Sequence, residues 1–226
     1  MPGVPLRVVS YNIHGLRDDR RALTGLIREL APDVLVVQEA PRRFRWREKC
    51  AALAGECGLV VAEGGLPSLG NLVLVSLRVN VHRTWCLRYP LTPGRHMRGA
   101  VFVEGSVLNS ARFTVTGSHL ATDPAERPAQ AERWKSEMSG MSDKLIVAAD
   151  FNEGPGGSAW RMIEDGLTGN TGNIHTYPAT LPSRCIDAIF VSPDLDIESY
   201  EIIDSDKARR ASDHLPVVTD LRLPSV

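Results

Sequence analysis

The sequence predicts a mixed α/β domain, and three features of the 226-residue chain indicate it. Short β-branched and apolar runs alternate with longer segments whose apolar residues recur at helical spacing. The middle of the chain instead contains several short apolar runs separated by Gly, Pro and Asn, which is typical of antiparallel sheet. The hydrophobic fraction of 43% is enough for one large core, so we expect a single domain over residues 1–226.

The first forty residues predict a strand, a helix and a second strand. "LRVVSYNI" (6–13) is β-branched and apolar, and "RDDRRALTGLIRELA" (17–31) places its apolar residues at helical spacing. Pro32 ends the helix. "DVLVVQEA" (33–40) is a nearly continuous apolar run of the kind found in a sheet that is covered on both faces.

The remaining elements follow from the same two patterns. After a helix near 41–55, we expect strands at 58–62, 71–76, 79–87, 99–108 and 111–118. We expect the second half to contain a helix at 124–140, a strand at 144–149, a short helix near 157–165 and strands at 185–191, 198–203 and 216–222. Between them lies "GNTGNIHTYPATLPS" (169–183), a turn-rich loop of a length that is often functional.

Composition argues against several classes of protein. No segment approaches the roughly 18 uninterrupted apolar residues of a membrane span, and "MPGVPLRVVSYN" lacks the pattern of a secretory signal, so we expect a cytoplasmic protein. The four cysteines form no CxxC pair and do not indicate a disulfide scaffold. Nothing in the sequence indicates an obligate protein partner.

The charge of the chain is nearly balanced but unevenly distributed. A net charge of −1 argues against a protein that holds duplex DNA mainly by a strongly basic surface. Residues 1–100 carry 15 Lys and Arg against 8 Asp and Glu, whereas residues 101–226 carry 11 against 19. This asymmetry is compatible with a basic rim beside an acidic site, and equally with ordinary solvated faces.

Polar side chains recur where the predicted apolar runs end. They are Asn12, His14, Glu39, His119, Asp150, Asn152, Asp187, Asp213 and His214. In α/β sheets the strand ends and the loops after them hold ligands, because a rigid sheet fixes side chains from distant parts of the chain around one crevice. Taken singly, each residue is more often a turn former, a cap or a structural histidine, so only the joint pattern indicates a site.

The chemistry that suits this set is hydrolysis at phosphorus. Glu39 and Asp213 supply anionic oxygens and Asn12 a neutral one, which suits a Mg²⁺ ion that keeps several waters and binds substrate phosphate. Asp150 and Asn152 share a face of an extended segment, so one can orient an attacking water while the other donates a hydrogen bond to phosphate.

A histidine and a further carboxylate complete the predicted chemistry. Asp187 is suited to hold His214 in its protonated, phosphate-facing form. A zinc enzyme is disfavoured, because the six histidines show neither HExxH nor close paired spacing with cysteine. The segment "GPGG" lacks the Lys-Ser/Thr of a P-loop, and no serine lies in a GxSxG elbow.

Six motifs resemble, in order, those of the endonuclease/exonuclease/phosphatase superfamily. They are "SYNIHG" (10–15), "QEA" (38–40), "GSHL" (117–120), "AADFNEGP" (148–155), "RCIDAIFVS" (184–192) and "SDHLPV" (212–217), and they cover nearly the whole chain. The resemblance implies a four-layer α/β/β/α sandwich of two mixed β-sheets flanked by helices. It also implies a divalent-metal site, for Mg²⁺ or Mn²⁺, at one end of the sandwich.

The same resemblance implies roles for the motif residues. Asn12, Glu39 and Asp213 look like metal-site residues. Asp150 looks like the residue that orients or activates the attacking water, and Asn152 looks like a phosphate contact.

The resemblance assigns the histidines to the substrate phosphate. His214, paired with Asp187, looks like the residue that stabilises the pentavalent phosphorus. His119 resembles another phosphate-facing histidine. His14 occupies a variable position of its motif, so its role stays open.

Departures from the family pattern bear on the substrate. Ala188 stands where the abasic-site DNA repair branch has an aromatic residue, and His119 where that branch has a tyrosine, so that branch is disfavoured. "PRRFRWREK" (41–49), with Phe44 and Trp46 among its basic residues, favours a phosphodiesterase acting on nucleic acid, although a solvated helix explains it equally well. The near-neutral charge and compact length favour instead a phosphatase or phosphodiesterase acting on a small-molecule or lipid-headgroup phosphate.

Overall fold

The structure, a computed structural model, describes residues 3–141, 144–169 and 174–226. The helices in these ranges are α1 (Arg20–Leu30), α2 (Trp46–Cys57), α3 (Arg127–Met138), α4 (Ser158–Glu164) and α5 (Asp206–Ala211). The strands are β1 (Val4–Asn12), β2 (Val34–Gln38), β3 (Val60–Gly64), β4 (Leu72–Val75), β5 (Val79–Arg88), β6 (Gly99–Val107), β7 (Phe113–His119), β8 (Leu145–Asp150), β9 (Thr168–Gly169), β10 (Asp187–Val191), β11 (Asp196–Ile202) and β12 (Val217–Leu223).

The strands of the described residues form two mixed sheets. The first has the order β11-β12-β1-β2-β4-β3 and the second β5-β6-β7-β8-β10-β9. Each sheet contains one parallel pair, β1 with β2 and β7 with β8, while the other pairs are antiparallel. The antiparallel pairing predicted for the middle of the chain is confirmed by β3 with β4 and by β5, β6 and β7.

Three apolar cores hold four layers together. One core lies between the two sheets and consists mainly of Val, Ile and Leu side chains from both. A second joins the outer face of the first sheet to α1, α2 and α5, and a third joins the outer face of the second sheet to α3 and α4. The predicted four-layer α/β/β/α sandwich is therefore confirmed.

Strand β2 shows why its first four residues are all apolar. Val34 and Val36 point into the core between the sheets, whereas Leu35 and Val37 point towards the helices. Successive side chains of a strand point to opposite faces, and both faces are covered here. Each of these side chains is fully buried, which stabilises the fold by about 1.5–3 kcal/mol per residue.

The predicted helices and strands that were placed by periodicity are all present, with shifted ends. The largest shift is in α2, which begins at Trp46 because Arg45 adopts a left-handed conformation with φ 58°. Short elements were not predicted: the two-residue strand β9, the six-residue helix α5 and a 3-10 turn at His14–Leu16. They are too short to show a hydrophobic period. Residues 170–173 of the predicted functional loop lie outside the described residues.

Two sequence expectations about environment can be compared with the fold. No helix in the described part of the chain is both long and apolar enough to cross a bilayer. None of the four cysteines, all of which lie in the described ranges, forms a disulfide, and Cys50, Cys57 and Cys185 are buried. Burial raises the pKa of the Cys50 thiol to about 11 and that of Cys57 to about 12, so these two side chains behave as apolar groups at neutral pH.

The approach of the two sheets depends on Gly117 of β7, and this can be tested. A methyl group placed there would collide with Cγ1 of Val36 on the facing sheet. We expect Gly117→Ala to lower the free energy of unfolding by about 1–3 kcal/mol through overpacking. Val36→Ala alone should cost about 2 kcal/mol through lost burial and a cavity.

The double variant separates this explanation from others. Gly117→Ala combined with Val36→Ala adds one methyl group in the space left by the two that Val36 loses, so the two costs should not add. Urea unfolding of the four proteins measures the coupling. If the losses of stability in the two single variants simply add in the double variant, the collision with Val36 is not the reason that residue 117 must be glycine.

Candidate active site

The ends of strands from both sheets meet at one edge of the sandwich. Asn12 is the last residue of β1, and His119 and Asp150 are the last residues of β7 and β8, where they lie side by side in register. Asp187 begins β10 instead of ending an apolar run. Because β10 is antiparallel to β8, this first residue still lies opposite Asp150. Antiparallel pairing therefore brings a strand start and a strand end to the same place.

The Asp150 carboxylate is the centre of the contact network. Asn12 donates its Nδ2–H to Oδ2 at 2.9 Å, and His119 Nε2 lies 3.2 Å from the same oxygen. The other oxygen, Oδ1, accepts the backbone N–H of Asn152 at 2.9 Å. His214 Nε2 is 3.8 Å from Oδ2. The side chain is only 1% exposed, so these partners, and not water, satisfy the carboxylate.

His214 is held as a cation by the carboxylates around it. Its Nδ1 donates to Asp187 Oδ2 at 2.9 Å. Burial alone lowers the pKa of His214, but the negative charges of Asp187, Asp150 and Asp213 outweigh burial and raise it to about 10. The predicted pairing with Asp187 is thus present, and at neutral pH the imidazolium directs its Nε2–H towards Asp150.

His119 has the opposite protonation state in the same site. Burial lowers its pKa to about 3, and the positive charge of Arg98 adds to this, although Asp150 acts in the other direction. A neutral imidazole therefore contacts Asp150 through Nε2. His119 also lines the cavity described below, so one ring touches both the carboxylate and the space for a ligand.

The segment 150–153 divides its side chains between the site and the core. Phe151 is fully buried, with its ring centroid 5.0 Å from that of Trp160, so the strand end is anchored in the outer core. Asn152 has φ 55° and donates Nδ2–H to the Leu120 carbonyl at 2.9 Å, which leaves one amide N–H for a ligand. Glu153 turns away and accepts the Trp160 backbone N–H at 2.9 Å.

The predicted metal-site residues lie around the same edge but in different surroundings. The Oδ1 atom of Asn12 accepts the His14 backbone N–H at 3.0 Å. Asp213 lies with His14 and Asp18 in a group whose ligand atoms are within 4.8 Å of one another. Asp150, Asp187 and His214 form a second such group. Glu39 belongs to neither.

The described residues fit a hard cation at this edge. The Asp213 Oδ1 atom is buried without a hydrogen-bond partner among them, and the Glu39 carboxylate makes no ion pair within the same ranges. Both are carboxylate oxygens, which Mg²⁺ and Mn²⁺ prefer over the nitrogen and sulfur donors of zinc sites.

A basic cavity of about 650 Å³ adjoins the network at His119. Its wall is formed by Gly15, Leu16, Arg17, Arg20, Glu39, Ala40, Pro41, Arg42, Arg43, Lys49, Leu69, His96, Arg98 and His119. The segment 41–49 that sequence analysis singled out supplies four of these residues. Its two aromatic residues behave differently: Phe44 is 84% exposed, whereas Trp46 is half-buried against the second core.

Sequence reasoning missed three residues that position the site. Thr176 is fully buried and donates its hydroxyl to Asp187 Oδ2 at 2.6 Å. Ser212 donates to the Asn12 carbonyl at 2.6 Å. The Tyr177 ring centroid lies 4.8 Å from that of His214. Thr176 and Tyr177 lie in the loop predicted to be functional and Ser212 in the "SDHLPV" motif, so position in a motif was the available signal.

The family model described as the Endonuclease/Exonuclease/phosphatase family matches residues 9–214. This range contains every side chain of the network, from Asn12 to His214. A comparison with curated proteins found no match.

Solved structures show the same fold at low sequence identity. An endonuclease/exonuclease/phosphatase family protein from Bacteroides thetaiotaomicron has a TM-score of 0.80 at 16% identity, with 99% of each chain covered. The mannosyl-6-phosphatase of that organism has a TM-score of 0.77 at 16% identity, covering 96% of this chain and 99% of that one. D. rerio TDP2 in complex with a single-stranded DNA product has a TM-score of 0.76 at 19% identity, covering 96% and 99%.

The two buried histidines predict opposite pH dependences of stability in the metal-free protein. The folded-state pKa of His214 is raised, so its stabilisation is complete below about pH 6.5 and is lost as the pH rises towards 10. The folded-state pKa of His119 is lowered, so stability is lost as the pH falls from about 6.5 towards 3. Each effect reaches at most about 1.4 kcal/mol per pH unit.

Urea unfolding in EDTA between pH 4 and pH 10 measures how the free energy of unfolding falls at acid pH (the acid limb) and at alkaline pH (the alkaline limb). We expect His214→Gln to flatten the alkaline limb relative to the wild type and His119→Gln to flatten the acid limb. Replacement of the exposed His82 by Gln is the control and should change neither. Parallel curves for all four proteins would contradict the assigned protonation states.

Proposed function

The chain belongs to the endonuclease/exonuclease/phosphatase family and is a phosphoric ester hydrolase, and we propose that it is a Mg²⁺- or Mn²⁺-dependent phosphodiesterase acting on nucleic acid. The observation that carries this proposal is the contact between the Asp150 network and the basic cavity. A substrate that places one phosphate at the network extends the rest of its charge into a basic wall. Phe44, exposed beside that wall in the chain, is suited to stack on a base.

The residues that would hold the ion are Asn12, Glu39 and Asp213. Their oxygen atoms suit a hard divalent cation that keeps part of its hydration shell. When bound, such an ion supplies charge stabilisation at the phosphoryl oxygens and lowers the pKa of a bound water.

In this proposal the protein's own side chains accept the proton of the attacking water and stabilise the charge on the phosphate. Asp150, held by Asn12 and His119, orients the attacking water and accepts its proton. His214 carries its positive charge at neutral pH and donates Nε2–H to a phosphoryl oxygen, whose negative charge grows in the transition state. Asp187 fixes the ring through Nδ1. We assign the free amide N–H of Asn152 to the same phosphate.

A second candidate is a phosphatase or phosphodiesterase acting on a small-molecule or lipid-headgroup phosphate. The observation that favours it is the size of the cavity, because about 650 Å³ is in the range of sites that enclose small ligands. The structurally similar mannosyl-6-phosphatase is named for a small-molecule activity of that kind. We further propose a cytoplasmic location, which is supported by four cysteines that lie in the described ranges and form no disulfide there.

The proposed substrate class predicts a definite pattern in a substrate panel. With Mg²⁺ or Mn²⁺ we expect cleavage of single-stranded DNA or RNA and of bis-p-nitrophenyl phosphate, and no cleavage with EDTA. The panel includes nucleoside monophosphates, mannose 6-phosphate and phosphoinositides. Release of inorganic phosphate from these monoesters, with nucleic acid and the diester intact, would replace the nuclease proposal with the second candidate.

Replacement of the central residues should strongly lower turnover without unfolding the protein. We expect Asp150→Asn and His214→Gln each to lower kcat by a factor of roughly 10² to 10⁴, because one orients the nucleophile and the other stabilises transition-state charge. Asp165→Asn, at an exposed carboxylate of the second sheet's helix layer, is the matched control and should keep wild-type kcat.

Circular dichroism establishes that the site variants are folded. A folded Asp150→Asn protein with more than a tenth of the wild-type kcat would refute the role assigned to that carboxylate. The same outcome for His214→Gln would refute the role of the imidazolium.

A further inference from the structure

We propose that the basic cavity is a binding site for a second phosphate group of the substrate, adjacent to the phosphate that is hydrolysed. This inference rests on the proposed phosphodiesterase function and adds to it a preference for substrates with at least two phosphates. The cavity and the Asp150 network share His119, so a ligand that reaches both has its anionic groups on the two sides of one ring.

The charges of the cavity wall are not balanced by the protein. Six Lys or Arg side chains line it, against the single carboxylate of Glu39. Arg20 is neutralised by Glu56, whose two oxygens it contacts at 2.8 Å each. The other five form no ion pair with a carboxylate within the described residues: Arg17, Arg42, Arg43, Lys49 and Arg98. An excess of unpaired cations around one concavity favours a polyanionic ligand.

Among the residues of the cavity wall, Arg98 gives the strongest argument for a bound anion. Its Nε atom is buried and has no hydrogen-bond partner in the described part of the chain. Burial lowers the pKa of the guanidinium, and neither Asp150 nor Glu39 removes this effect, although both act against it. A buried donor without an acceptor costs free energy, and an entering phosphate oxygen would supply the acceptor.

Arg42 is already placed for such a ligand. One terminal nitrogen of its guanidinium donates to the carbonyls of Leu69 at 2.8 Å and Met97 at 3.2 Å. Backbone carbonyls fix the position of the guanidinium without cancelling its charge. Its remaining N–H groups are therefore preorganised, which lowers the entropic cost of binding an anion.

The exposed cations Arg43 and Lys49 allow the site to be tested without disturbing the fold. We compare three thymidine dinucleotides that share one internal phosphodiester: dTpdT without a terminal phosphate, pdTpdT with a 5′ phosphate and dTpdTp with a 3′ phosphate. Both ends are included because the cavity adjoins the Asp150 network at His119 alone, so we expect it to accept only one of the two terminal phosphates. Chromatography follows cleavage of the internal linkage in the wild type and in Arg43→Gln, Lys49→Gln and the control Arg47→Gln.

The expected result is a gain confined to one terminal phosphate. It should raise kcat/KM of the wild type roughly tenfold or more, the size of one charge-assisted phosphate contact. Arg43→Gln and Lys49→Gln should each remove most of this gain and leave dTpdT cleavage within twofold of the wild type. Arg47, exposed on the same helix as Lys49 but outside the cavity wall, should be replaceable without effect on any of the three substrates.

Other outcomes separate the two proposals. If the wild type cleaves all three dinucleotides equally well, or if the variants slow all three to the same extent, the second-phosphate site is refuted while the phosphodiesterase function stands. If none is cleaved, the proposed function fails. Calorimetric binding of thymidine 3′,5′-bisphosphate and of the two thymidine monophosphates then tests the cavity alone. Equal affinities for the three nucleotides, unchanged in Arg43→Gln, would refute the site independently of any activity.

Discussion

The face-to-face packing of the two sheets is the constraint on which the site depends. The hydrogen bond from Asn12 to Asp150 joins residues 138 positions apart, one from each sheet, and it can form only if the two strand ends lie at the same edge. Small side chains set the distance between the sheets, since Gly117 leaves room for Val36. The network around Asp150 is therefore a consequence of core packing, and four of its side chains, those of Asn12, His119, Asp150 and Asp187, are held by buried strands.

The two buried histidines show how surroundings give one residue type two protonation states. Both rings contact the same carboxylate, yet their pKa values move in opposite directions. His119 has one nearby carboxylate and the cation Arg98, so burial decides and the ring is neutral. His214 has three carboxylates around it, and they outweigh burial. A neutral imidazole and an imidazolium beside the same carboxylate follow from these neighbours alone.

Much of this arrangement could be predicted from sequence because it lies in continuous motifs. Strand β2 and the segment after β8 show their apolar runs and terminal polar residues directly, and the fold class follows from such patterns. The sequence pattern places Asp187 at the end of an apolar run, although it begins β10, because the pairing of β10 with β8 is a long-range contact that no local pattern indicates. Thr176 was missed for a related reason: a buried threonine is recognisable as a site residue only when its partner Asp187 is known.

The uneven distribution of charge along the chain corresponds to two adjacent regions of opposite charge at this edge of the sandwich. Three carboxylates of the network, Asp150, Asp187 and Asp213, come from the second half of the chain, while the cations of the cavity wall all come from residues 17–98. The sandwich thus places an acidic centre suited to a metal ion against a basic wall suited to an anion. This separation gives a near-neutral protein a strong local electric field without a basic surface. Opposite charges that lie close together cancel at long range, but they do not cancel within the cleft.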